Sequence, residues 1–327
     1  MKRRASILGT LAMLLGGLTA APAGAAAELQ TVIKGIDIVG VPASQVGDLL
    51  GLLGLQEGMR LPYAQIKEAL VRPTETKLEG TGRFRAVSVQ PTTFIGGKED
   101  GATYLTISVI DRSAAMSPTS HRYVRLALPR PVEAFFTERV RGPGAFRDTL
   151  LPSDRDRLEA LAEAHASDLE RALGEAQDPG IRSRAAQAIA FHPDARRARL
   201  LLEAALSDPD AGVRRDVARA LHPLVMRQSG RTPISLEPYL ALIRLPESSD
   251  RLNAAAMLLT LASTPENRTR LFREAGAPLL AMARMKHPSE RTLALEALQV
   301  LAQTPAPEPW EAYRKLWEEK TAQRFVE

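Results

Sequence analysis

Two periodicities of apolar and polar positions divide the chain. From residue 29 to 112 they alternate near both ends and recur every three or four residues between, the patterns of strand and helix respectively. Val32 to Val39 reads as a strand with Ile36 and Ile38 on one face, ended by Gly40. Val46, Leu49, Leu50 and Leu53 follow at helical spacing before Gly54, and a second helix starts near Pro62 with Ile66, Ala69 and Leu70 inward. Pro73 breaks or kinks that helix. Phe84 to Ile95 and Thr103 to Ile110 flank a turn-forming run from Gly96 to Gly101, and Val87, Val89, Leu105, Ile107 and Val109 give this hairpin one buried face. The order β-α-α-β-β predicts a small α+β domain with both helices on one side of the sheet.

Residues 113–152 read as a connector, with a short strand at Tyr123 to Leu128 and a helix at Val132 to Val140. From Ser153 to 327 strand patterns give way to Leu, Ala and Arg at helical spacing, punctuated by Asp-Pro, His-Pro and Pro-Glu pairs. Four segments superimpose, IRSRAAQAI, VRRDVARAL, DRLNAAAML and ERTLALEAL, with arginines aligned at Arg182, Arg214, Arg251 and Arg291. The spacings of 32, 37 and 40 residues are those of helical hairpins that bury their apolar stripes against neighbouring copies.

The runs GIDIVG, LLGLQEGMRLPYAQI, LEGTGRFRAVSV and YLTISVID resemble a POTRA domain. The glycines typical of that family fall on Gly40, Gly58 and Gly82, the last followed by Phe84, and Pro73 departs from the pattern by splitting the second helix. The resemblance implies that the strand Phe84 to Gln90 lies at a sheet edge and accepts a strand from a partner. Arg83, Arg85, Ser88 and Gln90 would carry that contact, and Val87 and Val89 would face inward. It also implies a link to outer-membrane protein assembly or secretion, although no β-barrel pattern follows. The run LSDPDAGVRRDVARAL resembles HEAT-like repeats, and NRTRLFREAGAPLL an armadillo repeat whose glycine breaks a helix. These resemblances imply an all-α, right-handed solenoid over 153–327. In it Asp178 with Arg182 and Asp208 with Arg214 hydrogen-bond along the stack, and Arg251 and Arg291 take equivalent structural positions.

Composition narrows the setting. Lys2, Arg3 and Arg4 precede the apolar run Ile7 to Leu18, and small residues follow at Ala23-Gly24-Ala25, so residues 1–26 read as a cleaved export signal. The run is too short and too glycine-rich to span a bilayer. The whole chain has 43 basic and 38 acidic side chains, but three of the basic ones lie in the signal, leaving the mature chain at only +2. That balance argues against nucleic acid as a partner. The absence of cysteine excludes disulfides, thiol catalysis and zinc-thiolate sites.

Candidate chemistry is sparse. The histidines are His121, His165, His192, His222 and His287; three precede proline, but at positions that differ from one repeat to the next, which argues against a converging metal site. No Gly-x-Ser-x-Gly motif is present, Gly96 and Gly97 lack a following Gly-Lys-Ser, and the 25 acidic and 25 basic residues of 153–327 suit pairing along helix faces. Trp310 and Trp317, with Tyr313 and Leu316, fit a terminal capping helix. No catalytic residue, cofactor or metal is expected. The expectation is a periplasmic adaptor or scaffold that binds other envelope proteins. The alternatives are an accessory to an exported enzyme, regulatory or lyase-like, and a component of division or cell-wall assembly.

Overall fold

The computed structural model describes residues 30–96, 99–113, 123–139, 150–228, 233–262, 265–302, 314, 315 and 318. The expected export signal, His121 and the Trp310 to Trp317 helix face lie outside them. The fold is mixed α/β, one four-stranded sheet with a largely helical remainder. The chain divides into two compact units, the first formed by 1–114 with 284–292 and the second by 115–283 with 293–327.

In the first unit the strands are β1 (Gln30–Val39), β2 (Arg60–Pro62), β3 (Phe84–Thr93) and β4 (Ala102–Asp111), in the order β2-β1-β4-β3. β4 runs parallel to β1 and antiparallel to β3. Helix α1 (Ala43–Leu53) ends in the left-handed Gly54, a conformation glycine reaches without a Cβ penalty. Leu49, Leu53, Leu70 and Leu78 from the helical segments meet Ile33, Leu105 and Ile107 from the sheet in one core.

Three details depart from the sequence pattern. β2 has no signature in the sequence pattern, since three residues are too few to show alternation. The pairing of β1 with β4 shifts between Ile33 and Gly35, so that Ile33 and Ile36, three apart, are both buried, which a bulge allows. The expected one-sided hairpin has both faces of β4 covered, since Tyr104, Thr106 and Ser108 are buried along with Leu105, Ile107 and Val109.

Pro73 marks a split in the second helical segment without ending it. The chain passes from a 3₁₀ turn (Tyr63–Gln65) through a π turn (Lys67–Val71) into α2 (Arg72–Gly80), with Pro73 in the first turn of α2. A wider turn ahead of the proline accommodates its missing N–H and bulky ring. Gly40 has φ of 96°, and a Cβ there would sit 1.9 Å from the Val109 carbonyl oxygen, so only glycine fits where β1 ends beside β4.

The second unit contains α3 (Arg130–Arg139), α4 (Pro152–Ala164), α5 (Ala166–Glu175), α6 (Pro179–Ile189), α7 (Ala195–Ala205), α8 (Ala211–Gln228), α9 (Glu237–Leu242), α10 (Ser248–Leu261) and α11 (Pro265–Ala283). α12 (Pro288–Ala302) begins in the segment assigned to the first unit and ends in the second. α5 packs on α6, α6 and α7 on α8, and α8 and α9 on α10. The four aligned arginines fall on α6, α8, α10 and α12, every second helix.

The expected connector over 113–152 is in part structural. Val132, Phe135 and Phe136 of α3 are buried, and Val124 bridges to Ala176 through backbone hydrogen bonds to Glu175 and Gln177. The expected strand at Tyr123 to Leu128 is reduced to that single bridge. α8 continues through Pro223 and α11 through Gly276 and Pro278. His222-Pro223 therefore does not punctuate helices, and Gly276 does not break one in the armadillo manner. Buried Leu221, Leu224, Leu279 and Leu280 hold these stretches helical despite the local preference.

Candidate functional site

The sheet order leaves β3 at an edge, the position expected of it. Phe94 N–H bonds to the Ala102 carbonyl, and the pairing continues in unbroken register from Thr93–Thr103 to Ala86–Ile110. Successive residues of a strand direct their N–H and C=O groups to opposite sides. Ala86, Ser88, Gln90 and Thr92 therefore turn these groups toward β4, whereas those of Val87, Val89 and Pro91 point to the open edge. Glu75 of α2 accepts the outward Val89 N–H at 3.2 Å, and Pro91 has no N–H to offer.

This geometry reassigns the predicted contact residues. The Arg83 guanidinium donates to Asp111 at 3.3 Å and to Gln45, and lies 4.9 Å from the Phe84 ring centroid, so it braces the strand ends. The Ser113 backbone N–H, the Ser113 hydroxyl and Arg83 together hold the Asp111 carboxyl below the usual range. Arg85 is exposed at the register shift between Phe84 and Ala86. Ser88 and Gln90 are joined side chain to side chain at 3.4 Å, on the opposite sheet face from the buried Val89. The edge backbone comes from Val87 and Val89, the two residues expected only to face inward. In a strand the side-chain face and the backbone direction are separate properties, and side-chain alternation reports the first.

Of the predicted repeat positions, Arg182, Asp208, Arg214 and Arg251 are buried; Arg214 meets Asp208 as expected, though at its backbone carbonyl, and the carboxylate partners of this ionic ladder differ from those expected. Arg182 donates to both carboxylate oxygens of Asp208, at 2.7 and 3.0 Å, and to the carbonyls of Ala176 and Gln177. Arg214 donates twice to a single oxygen of Asp250, Oδ2, at 2.6 and 2.9 Å, and to the carbonyls of Asp208 and Pro209. Arg251 donates to the carbonyls of Leu245 and Pro246. Each arginine thus clamps the turn before its own helix. For Arg182 and Arg214 the carboxylate belongs to the following unit, not to their own turn as expected for Asp178 with Arg182 and Asp208 with Arg214. The Asp178 carboxylate caps its own helix at Gly180 N–H, 2.7 Å. Arg291 is exposed, unlike the other three. The Arg182 guanidinium also lies 4.5 Å from the Tyr123 ring centroid.

A second buried network had no sequence motif. Glu203 accepts from Arg199 at 2.8 Å and from the Tyr239 hydroxyl at 2.7 Å, and Arg199 also reaches Gln228 at 2.8 Å. Burial and the adjacent Glu203 carboxylate push the Tyr239 phenol far up, so it stays a donor.

In the first unit the Asp37 carboxylate accepts the backbone N–H groups of Lys286 and His287 at 3.0 Å, just ahead of α12. Gly35 permits this approach: a Cβ there would come within 2.6 Å of Lys286 Cβ. The His287 ring lies 5.9 Å from that of Tyr104 and 6.4 Å from that of Phe94. His165, His192 and His222 are each partly exposed, and His192 Nδ1 accepts the Asp194 N–H at 3.0 Å in a helix-opening turn. Among the described residues no three His, Asp or Glu side chains converge to hold a metal ion, and no described helix is long and apolar enough to cross a membrane.

No family model matches the sequence, and no curated protein matches it. Among solved structures, the chain is similar to the crystal structure of an engineered protein. The two are 19% identical, and the match covers 52% of this chain and 79% of that one at a TM-score of 0.35.

Proposed function

We propose that this protein is a non-catalytic, protein-binding adaptor or scaffold of the bacterial cell envelope, exported by residues 1–26. In this reading the first unit is POTRA-like and takes an extended segment of another protein onto the outer edge of β3. The helical unit is a HEAT-like repeat array and adds a second protein-binding surface. The order of strands and helices supports the first assignment, and an arginine on every second helix supports the second. The observation that carries the function is the edge itself: a ten-residue strand with the Val87 backbone turned outward, a ready template for strand addition.

The test uses the full chain with a photocrosslinking amino acid in place of Arg85, expressed in bacterial cells, followed by a peptide matching the captured segment. Val87→Pro removes an outward N–H without removing a bond to β4. The peptide should bind the wild type and lose most of its affinity for Val87→Pro, with the far-UV spectrum of the variant unchanged. Equal binding to both would sink strand addition as the mode. Sequencing the mature N-terminus checks export: a start near Ala25 to Ala27 is expected, and a retained leader overturns it.

A further inference from the structure

The sheet of the first unit has two faces, and its apolar core lies on one of them. Ile33, Ile36, Leu105, Ile107 and Val109 meet the helical segments there, and among the described residues none from 284–292 belongs to that core. The other face carries Gly35 and Asp37 of β1, paired in register with Tyr104 and Thr106 of β4. On this second face lies the segment 284–292, part of the first unit although Lys286 follows Asp37 by 249 residues. Its hold is local and largely polar. The Asp37 carboxylate takes the Lys286 and His287 N–H groups at 3.0 Å, and Lys286 Nζ meets Glu57 at 2.5 Å with both side chains about half exposed. The His287 ring sits 5.9 Å from that of Tyr104, which already stands edge to face with Phe94 at 5.8 Å.

We infer that this face is a peptide-binding site which the chain's own segment 284–292 keeps closed, and that a segment of a partner protein with the same chemistry takes its place. The pairing of the four strands and the core beneath them are complete without 284–292, so its departure uncovers Tyr104 and leaves the interior packed. A carboxylate that accepts two successive main-chain N–H groups selects a chain turning into a helix, whose positive end it also favours. Gly35 clears the path for that main chain, since a Cβ there would stand 2.6 Å from Lys286 Cβ. Glu57 selects a cation on the first residue, and Phe94 with Tyr104 selects a flat ring on the second. The occupant that fits is therefore a peptide with Lys or Arg followed by His or an aromatic residue at the start of a helix. A tethered occupant acts at an effective concentration of about a millimolar, which shuts out weaker competitors.

Amide exchange on the unaltered full chain tests release. The Lys286 and His287 N–H groups should exchange about tenfold faster than those of Leu105 and Ile107, by local opening. Equal protection would mean that the segment leaves only when the whole unit unfolds, and would overturn the inference without recourse to any variant. Binding tests the site, with a fluorescent peptide of residues 284–295 as the probe. The full-chain variant Lys286→Ala/His287→Ala, whose own segment has lost its cation and its ring, should bind this peptide about tenfold more tightly than the wild type. Adding Asp37→Ala should abolish that binding, with circular dichroism checking that both variants fold. Equal binding by the wild type and the double variant, no binding by either, or binding that survives Asp37→Ala contradicts the closed site. Val87→Pro introduced into the double variant should leave the peptide bound; loss of binding there would move the peptide to the β3 edge, which removes the closed site and spares strand addition.

Discussion

The strands and the helical unit bury polar groups in opposite ways. On the strands the fully buried polar side chains are neutral hydroxyls: Thr103 meets the hydroxyls of Thr31 and Thr93, and Thr106 and Ser108 are buried on β4. In the helical unit they are ionic: Arg182 with Asp208, Arg214 with Asp250, and Arg199 with Glu203 are nearly inaccessible to solvent. A hydroxyl shed from the sheet leaves a methyl-sized change and no charge. A charge removed from the ladder leaves its partner ionised in a low-dielectric interior. The sheet should therefore tolerate polar-to-apolar change, and the repeats should tolerate it only in pairs.

The sharpest break of that contrast is Arg214→Ala, which strands the fully buried Asp250 carboxylate. It should lower the unfolding free energy by about 3–5 kcal/mol in urea titrations. The paired change Arg214→Met with Asp250→Leu should recover most of the loss; equal losses for single and paired changes would mean that the charge is not what makes the site brittle. Next in size is Tyr239→Phe, which takes a hydroxyl from the Glu203 carboxylate and should cost about 1.5–3 kcal/mol by the same measurement.

Thr106→Val tests the other side. The Thr106 hydroxyl is buried and has no hydrogen-bond partner among the described residues, so a near-isosteric methyl should leave stability unchanged or raise it by about 1 kcal/mol. A clear loss would show that the neutral interior is as exacting as the ionic one.

The smallest expected effect is a slope. Burial raises the Asp37 carboxyl above its usual value and Glu290 adds to the rise, against the lowering by the N–H groups of Lys286 and His287 and the charge of His287. A folded-state value above the unfolded one means that this group's contribution is fully present below the unfolded pKa and is lost as pH rises through the folded one. Asp37→Asn should therefore gain stability relative to the wild type as pH rises through the weakly acidic range, read as melting temperature against pH. A relative loss over that range would show that the two backbone N–H groups outweigh burial.

Much of the sheet unit was legible because its signals are local. The alternation of Leu105, Ile107 and Val109 predicts their common face, and Gly40 marks the end of β1. Glu75 was not legible, since its bond to Val89 joins residues that no motif connects. The bulge beside Ile33 has no sequence signal for a related reason, as it depends on the partner strand. In the repeats, self-alignment located the arginines but supplied a period and no pairing. Asp250, next to Arg251 in sequence, serves Arg214, while Asp208, six residues before Arg214, serves Arg182. The network of Arg199, Glu203, Gln228 and Tyr239 brings together three helices whose sequences do not repeat one another.

The forward reach of those arginines gives the array a grammar. Asp178 and Asp208 open the same Asp-Pro phrase, yet the first is exposed and the second buried, because only the second has a cation behind it. Excising 182–213, one full period, would remove Arg182 and Asp208 together and carry Arg214 with Asp250 over intact. A cut of half that length, 198–213, would remove Asp208 and leave Arg182 without its acceptor. Lengthening or shortening such a chain by gene duplication or loss is tolerated only when the breakpoints keep step with the ladder.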